Sequence, residues 1–173
     1  MPHVRHACTA AVCALLLPAA ASAEEAVGKA VLMNADGQEI GAVTIGQLAS
    51  GAAHVVATAD NVPPGVHAFH VHETGQCDGA DGFKSAGGHH NPGNASHGWD
   101  SAGGPHAGDL PNVHVQEDGV LAVEYFSTVL LEDGGLFDDD GSAVVMHEGP
   151  DDYQTDPAGD AGARIACGVI EQP

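Results

Sequence analysis

Histidine is the residue type most able to do chemistry in this chain, because it is frequent and clustered. The 173 residues include 12 histidines but only 4 lysines and arginines. Three of the histidines lie in the segment His67-Ala-Phe-His70-Val-His72. In a strand, alternate side chains share a face, so His70 and His72 project together and His67 points to the other side. Two imidazoles on one face indicate a metal site, whereas we interpret His67 as a hydrogen-bonded structural residue.

A second candidate site lies in the Gly- and His-rich stretch 73–112. It consists of His89, His97, His106 and Asp109. Three imidazoles and one carboxylate complete a tetrahedral Zn²⁺ site with no open position, which is typical of structural rather than catalytic zinc. The spacing alone is a weak signal, but metal binding would order a polar loop of this length. His147, at the end of a predicted strand, is a further candidate ligand for the first site.

The elements that must position these side chains are short strands. Turn residues separate eight β-type segments, and Asp36-Gly37 and Asp118-Gly119 are typical of hairpin turns. We find no amphipathic helix, so the pattern predicts an all-β antiparallel barrel or sandwich with two long loops, 73–112 and 148–163. The predicted strands are Ala26–Met33, Gly41–Ile45, Ala53–Ala59, Val66–His72, Val113–Gln116, Val120–Phe126, Ala143–His147 and Arg164–Ile170.

Charge and the N-terminal segment restrict the partners and the compartment. The formal net charge is −20, which argues against binding to nucleic acid or to anionic membrane surfaces. Residues 7–23 carry no charge, contain Pro18 and end in Ala21-Ser22-Ala23, a pattern typical of a signal peptide. The run is too short and too rich in alanine for a membrane-spanning helix. We therefore predict a signal peptide over 1–23 and one domain over 24–173, periplasmic or secreted and free of the membrane after cleavage.

Cysteine usage agrees with export. Cys8 and Cys13 fall within the predicted signal peptide, which leaves Cys77 and Cys167. Two cysteines in an exported chain favour one disulfide. A metal-ligating pair is the alternative, weakened by the many histidines and by the long separation of the two cysteines.

Five segments together resemble one known family, and they cover nearly all of residues 24–173. They are GVHAFHVHETGQC (65–77), SAGGHHNP (85–92), GPHAGDLPN (104–112), VVMHEGPDDY (144–153) and GDAGARIACGVI (159–170). In type and order they resemble the copper/zinc superoxide dismutase family in its bacterial exported form. The resemblance implies an eight-stranded Greek-key β-barrel, in agreement with the strand count.

The resemblance also implies a centre with one copper and one zinc ion per subunit. The implied copper ligands are His70, His72, His89 and His147. The implied zinc ligands are His89, His97, His106 and Asp109, so that His89 bridges the two ions.

Further roles follow from the same resemblance. Asp151 matches a carboxylate that links a copper-ligand imidazole to a zinc-ligand imidazole, and Cys77 and Cys167 match the family disulfide. The implied catalytic groups are Arg164, which guides and holds the anion, and His89, which takes and gives a proton.

Two positions depart from the family. His90 stands where the family usually has Phe or Tyr, and we interpret it as structural and not as a ligand. Gln154 stands where many bacterial members have Lys.

The implied activity is dismutation of superoxide to dioxygen and hydrogen peroxide by copper that alternates between Cu(II) and Cu(I), which protects the cell envelope. Superoxide is then the substrate, and the sequence leaves monomer and homodimer open. The main alternative is a non-catalytic periplasmic copper/zinc-binding protein. A metal-dependent hydrolase is disfavoured, because no Ser or Glu is placed as a nucleophile or base and the zinc would be fully ligated.

Overall fold

The computed structural model describes residues 25–128, 130–131 and 135–173. In this part of the chain there are nine strands and two 3₁₀ turns, Gly79–Asp81 and Lys84–Ala86. The strands are β1 (Glu25–Asn34), β2 (Glu39–Gln47), β3 (Ala53–Ala59), β4 (Gly65–His67), β5 (Phe69–His72), β6 (Val113–Val115), β7 (Leu121–Ser127), β8 (Ala143–His147) and β9 (Arg164–Val169). The predicted signal peptide over 1–23 lies outside the described residues.

The strands form a curled antiparallel sheet. Seven of them pair in the order β5-β8-β9-β1-β2-β3-β7, and β4 pairs with β6. Strands that are distant in sequence become neighbours at β5-β8, β9-β1 and β3-β7, as a Greek-key connection requires. β6 and β7 form a hairpin in which the Gln116 amide donates to the Val120 carbonyl at 3.0 Å. This hairpin brings the two ends of the sheet together. The predicted all-β antiparallel fold is confirmed.

One predicted strand is divided in two. Val66–His72 was expected to be continuous, but the strand is interrupted at Ala68. The Ala68 amide donates to the Gly149 carbonyl at 2.8 Å, and the Ala68 carbonyl accepts from the His147 amide at 2.9 Å. At this residue the backbone therefore pairs with β8 and the start of the loop 148–163. The nine observed strands thus correspond to the eight predicted ones.

Alternation along the strands builds the barrel core. In β3, Ala53, Val55, Ala57 and Ala59 are buried, whereas Thr58 between them is exposed. Such a period of two places one face of each strand inside. Both predicted hairpin turns are confirmed, with Gly37 and Gly119 at φ of 74° and 79°.

The loop 73–112 is tied to the barrel by a disulfide. Cys77 in this loop is bonded to Cys167 in β9, with a Cα–Cα distance of 5.6 Å. The predicted bridge is confirmed, and the alternative of a metal-ligating cysteine pair is wrong. The described residues include no helix with the length and hydrophobicity needed to cross a membrane.

Candidate metal centre

Four histidines converge beside the β5–β8 pair. His70 and His72 come from β5 and His147 from the end of β8, which lies antiparallel to β5. His89 comes from the long loop and joins β5 through a bridge to His72. One ring nitrogen of each lies within 4.8 Å of the others, and all four side chains are buried. We call this set the four-histidine group.

The ring nitrogens of the four-histidine group divide into two kinds. Those that face the barrel and loops have oxygen partners: His70 Nε2 lies 2.9 Å from Asp151 Oδ2, and His72 Nδ1 lies 3.0 Å from the Gly87 carbonyl. Those that face inward have none, although they are buried: His70 Nδ1 and the Nε2 atoms of His72, His89 and His147. Because a carbonyl or carboxylate only accepts hydrogen bonds, it fixes the proton on the outer nitrogen and leaves the inner lone pair free.

A second set lies against the first and shares His89 with it. Its members are His89, His97, His106 and Asp109, again buried and with ligand atoms within 4.8 Å of one another. We call it the His/Asp group. All three imidazoles present Nδ1 to the carboxylate: the distances to Asp109 oxygens are 2.7 Å for His89, 3.1 Å for His97 and 3.2 Å for His106. The His97 contact lacks hydrogen-bond geometry, so its Nδ1 is also unpartnered.

Asp109 organises the loop around this group. Its Oδ2 accepts the amides of Gly98 at 2.9 Å and His106 at 3.0 Å. Burial works to raise the pKa of Asp109, but hydrogen bonds from His106, His89 and the Gly98 amide outweigh it and hold the pKa well below its ordinary value. The carboxylate is therefore charged at neutral pH and is available as an anionic ligand.

Three imidazoles of the four-histidine group, those of His72, His89 and His147, are held neutral. Burial is the main cause that lowers the pKa of His89 to about 4 and that of His147 to about 3. Burial also lowers the pKa of His72 well below its ordinary value, and the neighbouring His89 and Arg164 add to this. Neutral imidazoles keep the lone pairs that metal ions need.

Asp151 connects the two groups. Its Oδ2 lies 2.9 Å from His70 Nε2 and its Oδ1 lies 2.9 Å from His97 Nε2. Burial works to raise the pKa of Asp151, but hydrogen bonds from these two imidazoles lower it to about 2. Gly159 leaves room for the carboxylate, since a Cβ on Gly159 would overlap Asp151 Oδ1.

Arg164 is fixed beside the four-histidine group. Its Nη1 donates to the Phe83 carbonyl and its Nη2 to the Gly87 carbonyl, both at 2.7 Å. The Gly87 carbonyl also contacts His72, so one backbone oxygen positions both the cation and a ring of the group. Arg164 is half-buried, and its charge is among the causes that lower the pKa of His72 and His147.

Some positioning residues carried no signal in the sequence. Asn112 holds the two loops together: its Nδ2 donates to the Asp151 carbonyl, and its Oδ1 accepts from the Asp151 amide. The Gly87 carbonyl is a backbone atom, so no residue type could mark it. His67, predicted to be structural, lies outside both groups and contacts the carbonyls of Pro63 and His147, each at 2.8 Å.

The two groups fit two different ions. Four imidazoles with buried, unpartnered nitrogens suit copper, because imidazole is a ligand for copper in both of its oxidation states. Three imidazoles and one carboxylate suit zinc in a closed tetrahedral site. A buried cluster with this many free lone pairs is costly without an ion to satisfy them.

The comparisons with known proteins agree with this chemistry. A family model for copper/zinc superoxide dismutase (SODC) matches residues 39–170. The chain is 45% identical over 166 residues to superoxide dismutase [Cu-Zn] 1 of Aquifex aeolicus (strain VF5), covering 93% of this chain and 96% of that protein. It is 40% identical over 148 residues to superoxide dismutase [Cu-Zn] of Caulobacter vibrioides, covering 82% and 84%.

A solved structure extends the likeness to the fold. The crystal structure of a SOD-like protein from Bacillus subtilis matches with a TM-score of 0.75 at 39% identity, covering 82% of this chain and 96% of that chain. Together with the family model and the two similar enzymes, this likeness shows that the chain belongs to the copper/zinc superoxide dismutase family.

Proposed function

We propose that the four-histidine group binds copper, that the His/Asp group binds zinc, and that His89 is shared between them. The chain is an enzyme of the superoxide dismutase family and uses copper and zinc. The observation that carries the residue assignment is the set of inward nitrogens in the four-histidine group, which are all buried and unpartnered.

The overall reaction converts two superoxide anions and two protons to one dioxygen and one hydrogen peroxide. When bound, copper supplies the one-electron oxidation and reduction of superoxide, and zinc supplies a fixed positive charge of constant oxidation state. His89 is the residue placed to handle a proton. Its Nδ1 faces Asp109 at 2.7 Å and its Nε2 faces the four-histidine group, so Nε2 can take a proton and give it to the reduced product.

Arg164 binds and orients the anion. Two carbonyl acceptors hold its guanidinium in place, and its charge persists at every physiological pH. A preorganised cation costs no reorganisation when the anion arrives, so it contributes to electrostatic stabilisation. The surrounding chain is strongly acidic, with a net charge of −20, which makes this local cation the more important.

A purely metal-binding function is not favoured. It would require neither an arginine beside the four-histidine group nor a shared imidazole, and this chain has both. We therefore assign catalytic dismutation rather than storage to this centre, on the residues of the site and not on the fold alone.

Export belongs to the same proposal. A signal peptide over 1–23, followed by an enzyme domain over 24–173, would place the disulfide and the metal centre in the periplasm or outside the cell, away from the membrane. The protein would then protect the cell envelope. If two copies associate, Trp99 and Phe126 are large apolar side chains that are 49% and 62% exposed and could pack between them.

The test of the assignment is a set of matched variants with metal analysis and a superoxide assay. His147→Ala should lose copper and keep zinc, whereas His106→Ala should lose zinc and keep copper. Arg164→Gln removes the charge but keeps one donor for the loop carbonyls, so it should lower activity with both metals retained. Loss of the same metal in the two histidine variants would overturn the assignment of the two groups.

A further inference from the structure

An acidic cleft lies outside both metal groups. It has a volume of about 440 Å³ and is lined by the carboxylates of Glu73, Asp138 and Asp140, together with Asn91 and His90. Two segments form its walls, and they are joined by a hydrogen bond of 2.8 Å from the Gly75 amide to the Asp140 carbonyl. Backbone bonds therefore hold in place a concave surface with three carboxylates.

His90 gives this cleft a feature that an acidic surface alone does not have. The residue is 5% exposed, and its Nε2 is buried without a hydrogen-bond partner. Within the described part of the chain, each of the other histidines with such a nitrogen belongs to the four-histidine group or to the His/Asp group. An unpartnered, buried imidazole nitrogen is costly unless a ligand satisfies it.

The carboxylate-bearing residues and this imidazole line the same cleft. An unprotonated imidazole nitrogen offers a lone pair, and carboxylates supply the negative charge that neutralises a bound cation.

We propose that this cleft binds a third metal ion, a divalent transition-metal ion, with His90 as its nitrogen ligand. Asp138 and Asp140 are exposed, and although Asp138 Oδ1 accepts the Asp140 amide at 3.2 Å, its Oδ2 and the Asp140 carboxylate can supply oxygen ligands directly or through water. Glu73 is partly committed, because its Oε1 accepts the Gly88 amide at 2.8 Å. Among the residues that the structure describes, only the two groups above have three or more ligand atoms within 4.8 Å of one another, so the ion must draw the carboxylates of the cleft inward.

The donor set indicates which ion binds best. One imidazole, carboxylates and water favour Cu²⁺ over Zn²⁺ in the usual order of affinities. This interpretation revises the sequence-based one, in which His90 was structural and not a ligand.

The experiment is equilibrium dialysis of the untagged enzyme, already loaded with one copper and one zinc, against Cu²⁺ in the micromolar range. Metal analysis counts the ions retained per chain. Electron paramagnetic resonance tests whether the added copper has a spectrum of its own, with nitrogen coupling from a single imidazole. The variants are His90→Phe, which places at this position an aromatic residue typical of the family, and Asp138→Asn. The matched control is His114→Phe, because His114 is exposed on β6, and no β6 residue lines the cleft.

The wild-type enzyme and His114→Phe should retain a third equivalent of metal. His90→Phe should bind it at least about tenfold more weakly, and Asp138→Asn should show a smaller loss of affinity. If His90→Phe does not fold, the double variant Asp138→Asn/Asp140→Asn is used instead, since both side chains are exposed and their replacement should not disturb folding. The proposal is overturned if the loaded wild-type enzyme retains no third ion, or if His90→Phe or the double variant retains it with unchanged affinity.

Discussion

Replacing Asp151 by Asn should weaken copper binding more than zinc binding, because of how the carboxylate is shared. Asp151 Oδ1 accepts both the Tyr153 amide at 2.7 Å and His97 Nε2 at 2.9 Å. Oδ2 accepts from His70 Nε2 at 2.9 Å. In Asp151→Asn, the amide oxygen should take the Oδ1 position, where two donors point, and the NH₂ group should take the Oδ2 position.

The NH₂ group then faces His70 and changes its tautomer. An amide nitrogen donates and does not accept, so His70 Nε2 must offer a lone pair and the ring proton must move to Nδ1. Nδ1 is the unpartnered atom that faces the four-histidine group. Loss of a partner that orients a metal ligand typically costs about 10–100-fold in affinity, or about 1.4–2.8 kcal/mol. We expect a loss of that size for copper, and a loss of less than about tenfold for zinc.

The assay is competition with a chelator, read by metal analysis, on the wild type and two variants. Asp160→Asn is the control, because Asp160 is an exposed aspartate in the same loop. Equal retention of copper by Asp151→Asn and Asp160→Asn would refute the reasoning. A selective loss of zinc would refute the assigned orientation of the amide.

Four further outcomes follow from the same geometry. Asp109→Ala should lose zinc while copper still binds, and full zinc occupancy in that variant would contradict the ligand assignment. Cys77→Ser removes a bridge that closes a separation of 90 residues, so denaturant unfolding should show a loss of about 4–5 kcal/mol in unfolding free energy. Identical unfolding curves for the wild type and Cys77→Ser would count against this. Gln154 Nε2 donates to Asp100 at 2.9 Å, and Gln154→Lys would add a positive charge at this position. Over about 10 Å in water that charge is worth about 0.4 kcal/mol to an approaching anion, so the low-salt rate should rise about twofold and should fall more steeply with salt. An unchanged salt dependence would mean that other charges steer the anion. Because the pKa of His147 is lowered to about 3, protons should compete with copper for this ring only as the pH falls towards 3. If the metal-free protein already loses copper uptake near pH 6.5, the ordinary pKa of histidine, His147 is not held neutral by burial.

Local patterns were enough to predict much of the barrel. Alternation and turn residues predicted Ala53–Ala59 and Ala143–His147 with the observed bounds. The same alternation placed His70 and His72 on one face, where the structure has them. The interruption at Ala68 could not be predicted, because it depends on a hydrogen bond that the Ala68 amide donates to the carbonyl of Gly149, 81 positions away in the chain.

The long loop marks the limit of reasoning from spacing. His89, His97, His106 and Asp109 meet only because the loop folds back on itself, and no local periodicity encodes that fold. The residue types and spacing were only a weak signal for this grouping, and the family resemblance implied it more strongly. The unpartnered nitrogen of His90 had no sequence signal either, since its burial and its place in a cleft with Asp138 and Asp140 arise only when distant segments of the chain meet.

The most direct measurement of the central claim is the decay of superoxide after pulse radiolysis, in the presence of purified protein whose copper and zinc contents have been measured. With one ion of each per chain, we predict catalytic decay that is first order in protein, that stops when copper is removed and that returns when copper is restored. Decay at the uncatalysed rate, with both ions bound, would contradict the account and leave a protein that binds copper and zinc without turnover.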